Sequence, residues 1–113
     1  MSELVKVYWA EASVDCTDSV KVWQDFLTIV NRLTGVTVIN SVKHDFPGGG
    51  FSGLVLIAES HAAIHTWPEL HRVWVELATC GDPVALDEFE ASIRHWVVTN
   101  NELLSILSNY EGN

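Results

Sequence analysis

Hydrophobic and polar positions alternate along Leu4–Ala10, with Val5, Val7 and Trp9 on one side, and this period of two predicts a first strand. Cys16-Thr-Asp-Ser19 then reads as a helix entry, with Thr17 or Asp18 as the cap. Val20, Trp23, Phe26, Leu27, Val30 and Leu33 recur at helical spacing before Gly35 stops the helix. Val36–His44 is rich in β-formers and is broken by Pro47-Gly-Gly-Gly50. The run Phe51–Ala58 predicts a strand buried on both faces, and His61–Thr66 a short extended piece after it. A turn at Pro68 leads into a further alternating strand, Arg72–Thr79, with Val73, Val75 and Leu77 on one face. Gly81-Asp-Pro83 opens a second helix, in which Leu86, Phe89, Ile93 and Val97 share a face. Glu102–Ser108 fits a last strand or a helical turn equally well.

The predicted order is β-α-β-β-β-β-α-β. Consecutive strands with tight connections pair antiparallel, and two amphipathic helices need one apolar surface to cover. The expected fold class is α+β: a two-layer sandwich of a mostly antiparallel sheet with two helices packed on one face. One sheet face stays uncovered in so small a unit, and an apolar uncovered face favours dimerisation.

At 113 residues the chain is read as a single domain, residues 1–113. Apolar residues make up 48% and there are five Trp, enough for a packed core, so disorder is expected only at Tyr110–Asn113. The apolar runs are too short to span a bilayer, and Met1-Ser-Glu-Leu-Val-Lys6 lacks the pattern of a signal peptide. A cytoplasmic protein is expected. Six Lys+Arg against a net charge of −9 speak against nucleic acid or an anionic membrane as partner. The charge agrees with a cationic substrate, though acidic composition also serves solubility. Cys16 and Cys80 show no CxxC pattern; in a cytosolic protein they are not expected to pair as a disulfide, and a structural zinc site needs more ligands at tighter spacing.

Chemistry concentrates after the apolar run Leu54-Val-Leu-Ile-Ala58, in Glu59-Ser-His-Ala-Ala-Ile-His-Thr-Trp-Pro-Glu69. Ser60 ends a core strand, where a serine bonded to local backbone is the ordinary alternative; no Gly-x-Ser-x-Gly surrounds it. His65 suits a general acid or base because imidazole titrates near neutrality, and a structural histidine is its alternative. His61 and His65 stand four apart, but no helix is predicted to align them on a metal, so no metal is expected. Cys80 lies at a strand end and is either a packed thiol or an active-site group. Ser52 and Phe46 flank the glycine loop and taken singly read as a hairpin serine and a packed aromatic.

Taken together, Ser52-Gly-Leu-Val-Leu-Ile-Ala-Glu-Ser-His-Ala-Ala-Ile-His-Thr-Trp-Pro-Glu69 and Thr79-Cys-Gly-Asp82 resemble the short, prokaryotic class of S-adenosylmethionine decarboxylase, a pyruvoyl-dependent, self-processing family. Ala10-Glu11 match the end of its first strand. The resemblance implies that Ser60 attacks the Glu59 carbonyl and that the chain divides into a β chain, residues 1–59, and an α chain from residue 60. Ser60 then becomes a covalent pyruvoyl group, with His65 taking the α-proton and Ser52 assisting at the scissile region. That group would accept the substrate amine as a Schiff base and act as an electron sink, as no ordinary side chain can. Cys80 would protonate the substrate carbon, Glu69 would bind ribose hydroxyls, and Phe46 would stack on adenine. The implied product is the aminopropyl donor of polyamine biosynthesis, and the implied assembly a homodimer of processed αβ units. Lys6-Val-Tyr-Trp9, Arg72-Val-Trp-Val-Glu76 and the glycine-rich loop differ from the usual family pattern. They keep arginine or ornithine open as substrates of the same chemistry. A non-processing, nucleoside-binding homologue is the alternative outside enzymes.

Overall fold

The computed structural model describes residues 4–100 and, as a backbone strand, residues 106–111. The elements run β1 Lys6–Ser13, α1 Ser19–Asn31, β2 Val38–Asp45, β3 Phe51–Ile57, β4 Ser60–Trp67, a short 3-10 turn at Pro68–Leu70, β5 Arg72–Thr79, α2 Val84–Asn100 and β6 Ile106–Glu111. The sheet order is β2-β3-β4-β5-β1-β6, with every neighbouring pair antiparallel. This is the expected α+β sandwich, with the elements in the expected order. Of the undecided segment Glu102–Ser108, residues 106–108 belong to β6 and the others lie outside the described residues, as do residues 1–3 and 112–113.

Each helix begins where the sequence supplies a donor-satisfying side chain. Asp18 caps α1 by accepting from the Lys21 amide at 3.1 Å, and Asp82 accepts from the Val84 amide at 2.9 Å at the start of α2. The helices bury Val22, Phe26 and Val30 from α1 and Leu86, Phe89, Ile93 and Val97 from α2. Opposite them stand Tyr8, Ala10 and Ala12 of β1, Phe51, Val55 and Ile57 of β3, Ala62 and Ile64 of β4, and Val73, Val75 and Leu77 of β5. Edge-to-face contacts link Phe26, Phe89 and Tyr8 through the middle of this layer, at centroid distances of 6.1 and 5.8 Å. Each such side chain contributes about 1.5–3 kcal/mol through burial.

The opposite sheet face corrects one expectation. Phe51–Ala58 is not buried on both faces: Leu54 and Leu56 remain 44% and 50% exposed, and their neighbour Val42 on β2 is 62% exposed. The reason is that both helices lie on the Phe51-Val55-Ile57 side, so nothing among the described residues covers the alternate positions. Trp9 also belongs to this open face. It stacks on Trp74 at 4.7 Å between ring centroids, so the side of β1 that enters the core is that of Tyr8, Ala10 and Ala12. Trp74 in turn donates from its indole nitrogen to Glu76 at 3.1 Å.

Gly53 of β3 shows how tightly the two layers meet. The Trp23 ring of α1 lies over it, and a Cβ at that position would run into the ring. Gly53→Ala is therefore expected to lower unfolding stability by about 1–3 kcal/mol. Urea denaturation should show this as a lower midpoint with an unchanged slope.

Candidate active site

Two clusters of reactive side chains form at opposite ends of the β3-β4 hairpin. The first surrounds the two-residue turn Ala58-Glu59. Glu59 adopts φ 64°, a left-handed conformation that costs a residue with a Cβ about 1–2 kcal/mol. Ser60 follows as the first residue of β4 and stands directly opposite Thr79 of β5. Its hydroxyl donates to Thr79 Oγ1 at 2.7 Å. The Cys80 thiol donates to the Glu59 carbonyl oxygen at 3.1 Å, and the Gly81 amide donates to Thr79 Oγ1 at 2.9 Å. A Cβ on Gly81 would stand 3.3 Å from that same oxygen, so a glycine allows the close return of the chain. Thr79 and Cys80 thus each contact one side of the Glu59-Ser60 peptide, and Gly81 holds Thr79.

The second cluster is centred on Ser52 and His65, also direct cross-strand partners. Ser52 Oγ and His65 Nδ1 are 2.7 Å apart, leaving Nε2 for a further partner. The pair opens onto a cavity of about 430 Å³ whose walls include Phe46, Trp67 and Glu69. Phe46 and Trp67 are 47% and 43% exposed, so both rings offer surface to a ligand. The glycine loop closes the cavity on one side: Phe46 donates its amide to Gly50 O at 2.7 Å, and Gly48 and Gly49 take φ values of 96° and 98°. A larger open groove, about 640 Å³, lies between α1 and α2 and contains none of these residues.

The structure therefore brings Glu59, Ser60 and Cys80 together, and separately Ser52, His65, Phe46 and Glu69. It does not bring the two sets together within one chain. Ser60 and His65 are five residues apart on one extended strand, roughly 16 Å. They also point to opposite faces: Ser60 shares the side of Ala62 and Ile64, and His65 the open side with Trp74 and Ser52. His61, also on the open side, lies 3.4 Å from Glu76. His71 sits exposed on the turn before β5 in a left-handed conformation. Among the described residues no three His, Cys, Asp or Glu side chains converge as a metal site. His61 and His65 stand roughly 13 Å apart along β4.

Two site residues escaped the sequence reading. Thr79 was visible only as the letter before the cysteine of Thr-Cys-Gly, and Trp67 only as part of His-Thr-Trp-Pro-Glu. The bond to Ser60 and the place in the cavity wall come from pairing across the sheet.

A family model described as S-adenosylmethionine decarboxylase matches residues 6–101. The chain belongs to this family. A curated relative called S-adenosylmethionine decarboxylase proenzyme, from Caldanaerobacter subterraneus subsp. tengcongensis, is 40% identical over 72% of this chain and 64% of its own length. One of the same name from Fervidobacterium nodosum is 55% identical over 45% of this chain and 37% of its own. The chain spans about half the length of the curated relatives it matches, between 37% and 64% among these and their neighbours. The crystal structure of the adenosylmethionine decarboxylase from Aquifex aeolicus superposes with a TM-score of 0.78 at 25% identity, covering 100% of this chain and 94% of that one.

The two cysteines of this family member differ sharply. Cys16 is fully buried and bonded to Arg72 O at 3.6 Å, and desolvation by burial, with the Asp15 charge beside it, pushes its thiol up to about 11. Cys80 is exposed. Iodoacetamide at mildly alkaline pH should label Cys80 in the folded protein and reach Cys16 only after denaturation. Peptide mass spectrometry reads both sites.

Proposed function

We propose that the chain cuts itself between Glu59 and Ser60 and decarboxylates S-adenosylmethionine. The observation that carries this reading is the set of contacts around that one peptide bond. The hydroxyl held by Thr79 belongs to the residue that directly follows the carbonyl it would attack, and a thiol already donates to that carbonyl oxygen. Attack by Ser60 Oγ places negative charge on the Glu59 oxygen, where the Cys80 hydrogen bond stabilises it. Collapse breaks the peptide bond and leaves an ester, with the Ser60 nitrogen as leaving group. Loss of the Ser60 α-proton then expels the Glu59 carboxylate and divides the chain into residues 1–59 and 60–113, leaving at residue 60 a dehydroalanine that water hydrolyses to the ketoacyl group with release of ammonia.

His65 is the base for that proton, and Ser52 fixes its ring through Nδ1. Because His65 is roughly 16 Å from Ser60 along β4, the base comes from a second copy of the chain. A homodimer is further supported by the uncovered sheet face, where Val42, Leu54 and Leu56 need burial. Each site would then combine Ser60 and Cys80 of one copy with Ser52, His65, Phe46 and Glu69 of the other.

The residues present fit a pyruvoyl group derived from Ser60: Thr79 holds the Ser60 hydroxyl, and Cys80 bonds the oxygen of the carbonyl that the hydroxyl would attack. Once formed, that group supplies the electron sink for decarboxylation. Cys80 provides the proton for the substrate carbon. Phe46 stacks on the adenine, and Glu69 accepts bonds from the ribose hydroxyls. The aromatic walls of Phe46 and Trp67 favour a nucleoside-bearing substrate over arginine or ornithine, which offer no flat ring to stack. The net charge of −9 suits a sulfonium cation. No helix among the described residues is long and apolar enough to cross a membrane. We place the protein in the cytoplasm, supplying the aminopropyl donor of polyamine synthesis.

Intact-mass spectrometry of the purified protein should show two fragments divided at Glu59-Ser60, with Ser60→Ala staying whole. Carbon dioxide release should be strong from S-adenosylmethionine and weak from arginine and ornithine. A whole wild-type chain that binds nucleosides without releasing carbon dioxide would identify a non-processing homologue instead. Co-expressing Ser60→Ala with His65→Ala chains tests the shared site. One intact site per mixed dimer should restore cleavage of the His65→Ala chain, which a site built within one copy would not allow.

A further inference from the structure

We infer that Thr79 is a positioning residue for self-cleavage, holding the Ser60 hydroxyl in its attacking orientation. This rests on the self-processing reading above. Thr79 is one of two buried polar residues among the described residues, 6% exposed, on the side of β5 otherwise given to Val73, Val75 and Leu77. A valine would fill that place as well, so packing alone does not ask for a hydroxyl. What the hydroxyl does is accept two hydrogen bonds at one oxygen, from Ser60 Oγ at 2.7 Å and from the Gly81 amide at 2.9 Å. Both lone pairs are thereby used. The Gly81 bond fixes the Thr79 rotamer, and the fixed oxygen in turn fixes the Ser60 proton.

The direction of that proton matters for the reaction. With Oγ–H turned toward Thr79, the lone pairs of Ser60 Oγ are left free for the Glu59 carbonyl carbon. Without the acceptor the hydroxyl rotates among three wells, only some of which present a lone pair. In the acyl shift the Oγ–C bond forms, the C–N bond of the peptide breaks, and the hydroxyl proton ends on the Ser60 nitrogen. Thr79 gains and loses no proton overall, because its hydroxyl is too weak a base; its part is orientation. The division of labour in Thr79-Cys80-Gly81 follows: Thr79 holds the nucleophile, Cys80 the electrophile's oxygen, and Gly81 holds Thr79.

Thr79→Val and Thr79→Ser separate this role from packing. Chain cleavage is followed by intact mass after refolding, and thermal stability is measured on the same Thr79 substitutions made in the uncleavable Ser60→Ala background. Thr79→Val keeps the buried methyls and removes the acceptor; its melting temperature should stay near the parent while cleavage slows by about tenfold or more. Thr79→Ser keeps the acceptor and removes a methyl; it should melt lower yet cleave within about twofold of wild type. Thr79→Val cleaving as fast as wild type, or Thr79→Ser cleaving as slowly as Thr79→Val, overturns the inference while leaving self-processing intact. Should Thr79→Val fail to fold, the Thr79→Ser rate alone still decides, since a packing role predicts that it slows with the loss of stability. A wild-type chain that stays whole removes both this inference and the reading beneath it.

Discussion

The register of β4 between β3 and β5 is the constraint on which the rest depends. Successive residues of a strand face opposite sides, so a slip of one position would exchange the two faces of β4 completely. In the register adopted, Ala62, Ile64 and Thr66 enter the core and His61, His65 and Trp67 face outward. The same register sets Ser60 opposite Thr79 and Ser52 opposite His65. Both polar pairs at the two ends of the hairpin are therefore by-products of one pairing that the hydrophobic core enforces.

Against that rigid frame, the structure departs from low-energy choices at the site itself. Glu59 takes a conformation that a two-residue turn normally reserves for glycine or asparagine. Gly81 gives up side-chain packing so that its amide can reach Thr79. The open sheet face carries Leu54, Leu56, Val42 and a stacked Trp9-Trp74 pair where a solitary domain would place polar groups. These features cost stability in an isolated chain. They become coherent under the proposed function, in which the Glu59-Ser60 bond is the point of chemistry and the open face meets a second copy.

Much of this was legible in the chain. The period of two in β1 and β5 and the helical spacing of Phe26, Val30, Phe89 and Ile93 gave the element order, because each pattern reflects a single buried side. Asp18 and the Gly35 stop marked α1 for the same local reason. The strand over Phe51–Ala58 was legible, but its burial on both faces was not, since a continuous apolar run does not reveal whether a second layer exists to bury its other side. Glu59, Ser60, His65 and Cys80 stood out by chemical type. Trp67 and Thr79 did not: an aromatic beside a proline and a threonine in a strand are both ordinary.

The sequence by itself determined the order of the elements, the family motifs and most of the candidate site residues, all properties of residue type and short-range spacing. Only the tertiary structure decided how those groups are distributed. Five residues along β4 look adjacent in the sequence, but an extended strand turns them into roughly 16 Å and opposite faces. Nineteen positions separate Ser60 from Thr79 in the chain, yet pairing of β4 with β5 brings their oxygens to 2.7 Å. Distance in a sheet is set by register and side, and neither is written in the order of the residues.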